Sequence, residues 1–186
     1  MQIRNTRQRY GALAQLFHWL VALGFVGQFA LAWYMEGLPN GPFKIELYNL
    51  HKSIGVTILA VAVLRVLWRW ANPVPPMPAG SAKWEVMASR ASHVLLYGLL
   101  FAQPITGLLF SLYSSFPTII WGRSLPDPGT SEAVQDLFMA AHGYLSWAIL
   151  GLVAVHVAAA LRHHLILKDD VLRRMWPGAR VRGAAE

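Results

Sequence analysis

The sequence contains no cysteine and very little charge. Without cysteine the chain can form no disulfide, no thiolate metal site and no cysteine nucleophile. Charged residues make up 13% of its 186 residues, about half the share of an average soluble domain. Acid is the scarcest class: nine Asp and Glu stand against sixteen Lys and Arg, a formal charge of +7. A glycine-rich nucleotide or flavin fingerprint is also lacking, which excludes direct use of NAD by this chain. What is present is apolar, 55% of all residues. That hydrophobicity excludes disorder, and the low charge density argues against a nucleic-acid binder despite the positive sign. The length would also suit one soluble domain, so the distribution of apolar residues along the chain decides.

Four apolar runs meet the requirement of about 20 residues for crossing a bilayer core. They lie at about 13–35, 47–70, 91–116 and 137–161. The first run exceeds the apolar region of a signal peptide, about 7–15 residues, and reads as a retained helix. Four such runs leave too little polar surface for buried helices of a soluble protein. The expected fold is an all-α membrane protein, a four-transmembrane-helix bundle in a single domain over 1–186, with a frayed tail at 178–186. Asn72 to Pro78 is a proline-rich link that cannot be helical. Ser81 to Ser89 reads as a short interfacial helix anchored by Trp84. Basic residues are unevenly placed. Arg4, Arg7, Arg9, Arg65, Arg69, Lys83, Arg90, Arg162, Lys168, Arg173, Arg174, Arg180 and Arg182 fall on one side, and only Lys44, Lys52 and Arg123 on the other. By the positive-inside rule the chain is a multi-pass protein of a bacterial inner membrane with both termini cytoplasmic.

Ionisable residues inside spans are costly and mark function. His142 and His156 lie 14 residues apart on one span, which places them on one face and about 21 Å apart along the axis. Depth supplies each with a partner. His51 matches His142 near the outer ends, and His18 matches His156 near the inner ends; His93 sits shallower. Two imidazoles facing each other, with no thiolate or carboxylate beside them, suit axial ligation of a haem, giving two haems in all. Zinc would lack ligands to complete a tetrahedron, and a proton relay does not account for the shared face. A haem-free channel or transporter is the alternative from another class. Gly24, Gly27, Gly55, Gly143 and Gly151 could make room for a flat macrocycle or simply serve helix packing. Arg65 and Arg69 could pair with haem propionates or snorkel to the interface.

The stretches FHWL at His18, LHKSIG at His51, HVLLYGLLFAQPITGLLFS from His93, AAHGYLSWAILGLVAVHVAAALRHH and LKDDVLRRMWP together resemble the bacterial cytochrome b561 family, and the likeness covers nearly the whole chain. The resemblance implies two haem b groups held by His18, His51, His142 and His156. It also implies electron exchange with quinone and, for the best-known type, oxidation of superoxide with ubiquinone as acceptor. Relatives include cytochrome b subunits of nickel–iron hydrogenases, so the alternative function is a conduit or anchor between a partner dehydrogenase, or a periplasmic electron carrier, and the quinone pool. His163, His164 and Lys168 could hydrogen-bond a quinone head or supply protons, and His93 could do the same or meet a propionate. Lys52 and Arg123 could steer superoxide. The outer loops nevertheless carry more acid (Glu36, Glu46, Asp127, Glu132, Asp136) than base, which suits a basic carrier equally well.

Overall fold

The computed structural model describes residues 2–179, so all but the first two residues of the expected frayed tail lie outside the described residues. Four long helices dominate: α1 (Ala12–Glu36), α2 (Pro42–Trp70), α3 (Lys83–Leu112) and α4 (Glu132–Leu165). All four are long and apolar enough to cross a membrane. Their exteriors agree with that reading. Leu20, Leu23, Val26, Val94, Leu95 and Trp147 are exposed, an inside-out arrangement that lipid stabilises and water would not.

Helix ends follow local chemistry. Pro42 opens α2, where a missing N–H costs nothing. The Asn72 carboxamide donates to the Trp68 carbonyl and covers its far end, and Pro73 follows. The Ala82 N–H donates to the Glu85 carboxylate at the start of α3. The expected separate helix over 81–89 is instead the first part of α3, because nothing between Lys83 and Ala91 breaks the ladder. The far end of α3 comes at Leu112, short of Phe116. There the Ser114 hydroxyl donates to the Ser111 carbonyl, and Pro117 follows. Pro104 lies inside α3; its missing N–H removes one rung of the ladder. Beyond α3 the loop forms a hairpin, β1 (Ile119–Ile120) and β2 (Arg123–Ser124), paired antiparallel.

The chain forms two compact units, each built from all four helices. One comprises Met1–Trp19, Val63–Gly98 and Ala148–Glu186. Its periphery is tied together by side chains. Asn5 accepts from the Gly11 N–H and donates to the Pro73 carbonyl. Past α4 the chain turns back, so that Gln15 donates to the Arg174 carbonyl and the Trp19 indole to the Met175 carbonyl. The Trp19 and Trp176 rings meet edge to face at 5.2 Å. The other unit comprises Leu20–Ala62 and Leu99–Trp147. Its hairpin turn holds Trp121 at φ 48° and Gly122 at φ 76°, a pair of left-handed residues suited to a two-residue hairpin. A tryptophan is strained there. Its N–H donates to Ser53 Oγ at 2.9 Å and its indole to Thr57 Oγ1 at 3.1 Å, which pins the turn to α2.

Candidate functional site

In the unit containing the chain's beginning, α1 presents His18 and α4 presents His156. Their ring centroids are 6.3 Å apart, with planes tilted by 57°. A third imidazole, His93 of α3, stands 5.5 Å from His156 at 89°, and its Nδ1 donates to the Ser89 carbonyl. The expectation that His93 sits shallower than His156 is therefore corrected. It measured depth from the charge-free run, which begins at Ala91, whereas α3 begins at Lys83. Counted from the helix ends, His93 and His156 lie at similar depth.

The other unit brings His51 of α2 and His142 of α4 together at 6.4 Å, with planes at 78°. Gln28 supports His51 by donating to its backbone carbonyl at 2.9 Å. His142 is held more closely. Its Nδ1 donates to the Gln103 carbonyl at 2.9 Å, and Gln103 Nε2 lies 3.2 Å from His142 Nε2. Gly107 leaves the space for this ring: a Cβ there would lie 2.8 Å from His142 Cε1.

Both pairs can be tested against a metal between two imidazoles. A bond of about 2 Å, plus about 1.2 Å from ring nitrogen to ring centre, gives centroids about 6.4 Å apart across one ion. The His18–His156 and His51–His142 separations agree with that spacing, while His93 lies too close to His156. The His142 Nδ1 bond to a carbonyl is also the usual outer partner of a ligating histidine. Among the described residues no group of three or more His, Cys, Asp or Glu could hold an ion, so the zinc alternative finds no ligand set. By spacing, each pair could hold a haem iron, which would supply one-electron chemistry there. Residues 9–178 match the family described as prokaryotic cytochrome b561. The chain belongs to that family. It is 40% identical to cytochrome b561 homolog 2 of Escherichia coli K12, over 94% of this chain and 95% of the relative. It is 29% identical to cytochrome b561 homolog 1 of the same organism, over 91% and 97%. A third relative, probable superoxide oxidase CybB of Yersinia pestis, is 28% identical over 93% and 98%. The family is a four-helix haem-binding bundle, so b-type haem and membrane electron transfer apply to this b561 chain.

The remaining candidates divide. Arg65 and Arg69 both stand over the Tyr97 ring, at 5.6 and 5.5 Å, and Arg65 Nε donates to the Tyr97 hydroxyl. Neither has an acidic partner among the described residues, and Arg65 Nη1 is buried without a hydrogen bond. With His93, Tyr97 and Tyr10 they line one cleft. Burial pushes the Tyr10 phenol up, against the pull of Arg69. A cluster of two unneutralised guanidinium groups favours an anion such as a propionate.

His163 and His164 depart from the expected open surface. His163 is only 7% exposed and its Nδ1 meets the Asp169 carboxylate. The chain after α4 folds back to bring Asp169 there, with the Asp169 N–H donating to the His163 carbonyl. Lys168 takes the left-handed conformation, φ 54°, that makes this turn. His164 lines a separate cavity with Leu172, Arg173 and Trp176. In the other unit Lys52 Nζ reaches the Pro117 carbonyl at 3.5 Å, and Arg123 is exposed on β2.

Of the glycines expected to give room, a Cβ at Gly27, Gly143 or Gly151 would meet nothing within 4 Å, whereas at Gly24 it would press on Ile58 and at Gly55 on Gln28. Sequence reasoning missed Gln103 and Gly107. The available signal was QPITG, a polar side chain and a glycine flanking a mid-span proline.

Proposed function

We propose that this protein is a di-haem superoxide:ubiquinone oxidoreductase of the inner membrane, with both termini cytoplasmic. The observation that carries the reading is the pair of histidine couples, each with the centroid spacing of imidazoles on opposite faces of one iron. His18 and His156 would hold the inner haem, and His51 and His142 the outer one. Bis-histidine haem supplies reversible one-electron chemistry and has no open position for binding oxygen. The overall reaction balances as two superoxide anions giving up one electron each and leaving as oxygen. Ubiquinone takes those two electrons and two protons to become the quinol.

The protein's own residues divide this work. Lys52 and Arg123 offer local positive charge for an arriving anion on the periplasmic side. Arg65 and Arg69 neutralise anionic groups of the inner site. His164, beside Arg173 and Trp176, would hydrogen-bond a quinone carbonyl, and His163, bonded to Asp169, would pass protons to it from the cytoplasm. Lys168 adds positive charge at that turn.

A specific observation favours a second reading. The outer loops hold five acids against three bases, and the relative named for superoxide is more distant, at 28%, than the one named only as a cytochrome, at 40%. In that reading the chain is a conduit from a basic periplasmic carrier, or a partner dehydrogenase, to the quinone pool. Stopped-flow absorbance separates the two. Rapid haem reduction by superoxide, followed by reoxidation with a ubiquinone analogue, is the expected result. Slow reduction by superoxide together with rapid reduction by a cationic carrier would replace it with the conduit.

A further inference from the structure

Arg65 and Arg69 lie four residues apart on α2, one helical turn, where like charges repel. Neither meets a carboxylate among the described residues. Arg69 belongs to the last turn of the helix, and a long cationic side chain there ordinarily runs out to the lipid headgroups. Instead both guanidinium groups converge on one ring of α3. Arg65 Cζ stands 5.6 Å and Arg69 Cζ 5.5 Å from the Tyr97 centroid, inside the distance of about 6 Å at which an aromatic face attracts a cation. Arg65 is fixed further, since its Nε donates to the Tyr97 hydroxyl at 3.2 Å.

Tyr97 also joins these charges to the histidine site. It follows His93 by four residues on α3 and so shares its face. His93 stands 5.5 Å from His156, and Arg65, Arg69, Tyr97 and His93 line one cleft. The choice of an aromatic partner has an electrostatic consequence. A carboxylate would hold a guanidinium and cancel its charge, whereas a neutral ring holds it through the quadrupole and leaves the charge in place.

We propose that Tyr97 is a positioning residue: its ring clamps Arg65 and Arg69 beside the His18–His156 site without neutralising them, and so keeps the midpoint potential of the inner haem up. Released from the ring, both side chains extend toward the cytoplasm, where water and salt screen their charge. This inference rests on the proposed ligation by His18 and His156.

The test uses the full-length, haem-loaded chain in detergent and reads the inner midpoint by spectroelectrochemical titration. Tyr97→Leu removes the aromatic face and should favour the ferric form about threefold, a downward shift on the order of 30 mV for one electron. Tyr97→Phe keeps the face and should leave the potential in place. In an Arg65→Gln, Arg69→Gln background Tyr97→Leu should add nothing, because its effect passes through the guanidinium groups. An equal shift in that background would overturn the proposal, as would an unmoved potential in Tyr97→Leu or the same shift in Tyr97→Phe. Tyr97→Met serves the same purpose where the leucine variant does not fold. Arginine modification by phenylglyoxal, located by peptide mass spectrometry, gives a readout independent of haem redox chemistry. Arg65 and Arg69 should react slowly in the parent and in Tyr97→Phe, and faster in Tyr97→Leu; equal rates in all three would refute the clamp. Two haems per chain in His156→Ala would instead remove the ligation reading, and the modification rates would still decide whether the ring holds the arginines.

Discussion

Gly107 and His142 are in contact that no other residue at 107 would permit: a Cβ on Gly107 would stand 2.8 Å from Cε1 and 3.0 Å from Nδ1 of the imidazole. The obstructing atoms belong to a ring tethered at Nδ1, so the ring cannot swing aside without losing that bond. Gly107→Ala should displace His142 and cost about 1–3 kcal/mol of overpacking. Haem at the His51–His142 site should fall while the other site keeps its own, as measured by haem per chain and by the loss of one redox transition.

The ligand assignment makes a counting prediction. Pyridine haemochrome analysis should give two haems per parent chain. His142→Ala and His156→Ala should each leave one. His93→Ala should retain two, because its ring stands at 5.5 Å from His156, inside the spacing that an intervening metal requires. Loss of a haem in His93→Ala with retention in His18→Ala would exchange the roles of those two residues.

Arg65 and Arg69 should influence potential through charge. Two cations beside the His18–His156 site disfavour the ferric form, which carries one more positive charge than the ferrous form. Removing them should therefore lower the potential. Arg65→Gln with Arg69→Gln is expected to shift the inner midpoint downward by on the order of 60 mV, the one-electron equivalent of a tenfold change in equilibrium. Spectroelectrochemical titration reads the shift, and an upward movement would contradict the charge argument.

The turn after α4 should matter for quinone and not for the electron donor. Asp169→Asn removes the carboxylate charge facing His163, and His164→Ala opens the cavity beside Trp176. Both variants should slow haem reoxidation by a ubiquinone analogue while leaving the rate of haem reduction unchanged. Equal slowing of both half-reactions would point to general damage.

Trp121 gives a prediction about stability. Ser53→Ala removes the oxygen that accepts from the Trp121 N–H and leaves a left-handed tryptophan with one support instead of two. The expected loss is about 1–2 kcal/mol, seen as a lower Tm. Gly replacing Trp121 alone would relieve the backbone strain but give up the indole bond to Thr57, so its effect should be smaller.

How far the sequence reaches can be seen residue by residue. Predominantly apolar runs of over 20 residues, three of them free of charge and the one at 47–70 charged only toward its ends, located the four helices, because that is the length a bilayer core requires. The 14-residue interval from His142 to His156 put both on one face, because helical rotation is a local property. His93 lies deeper than the sequence suggests, because α3 starts at Lys83, ahead of the uncharged run. Asn5, Trp19 and Asp169 gave no sign of their partners, since Pro73, Met175 and His163 are joined to them by folding back of segments. No periodicity encodes such a return.

The absence of cysteine and the four long apolar runs therefore determined a good deal by themselves: a membrane protein, held by neither disulfides nor thiolate metals, with histidines inside its spans. Those conclusions follow from composition and from the geometry of single helices. Only the tertiary structure decided which imidazoles stand at ligand distance, that Gln103 brackets His142, and that Gly107 makes room for it. Such facts depend on the packing of α3 against α4 to within a few tenths of an ångström, and packing at that precision is a property of side chains meeting across helices, not of any one helix.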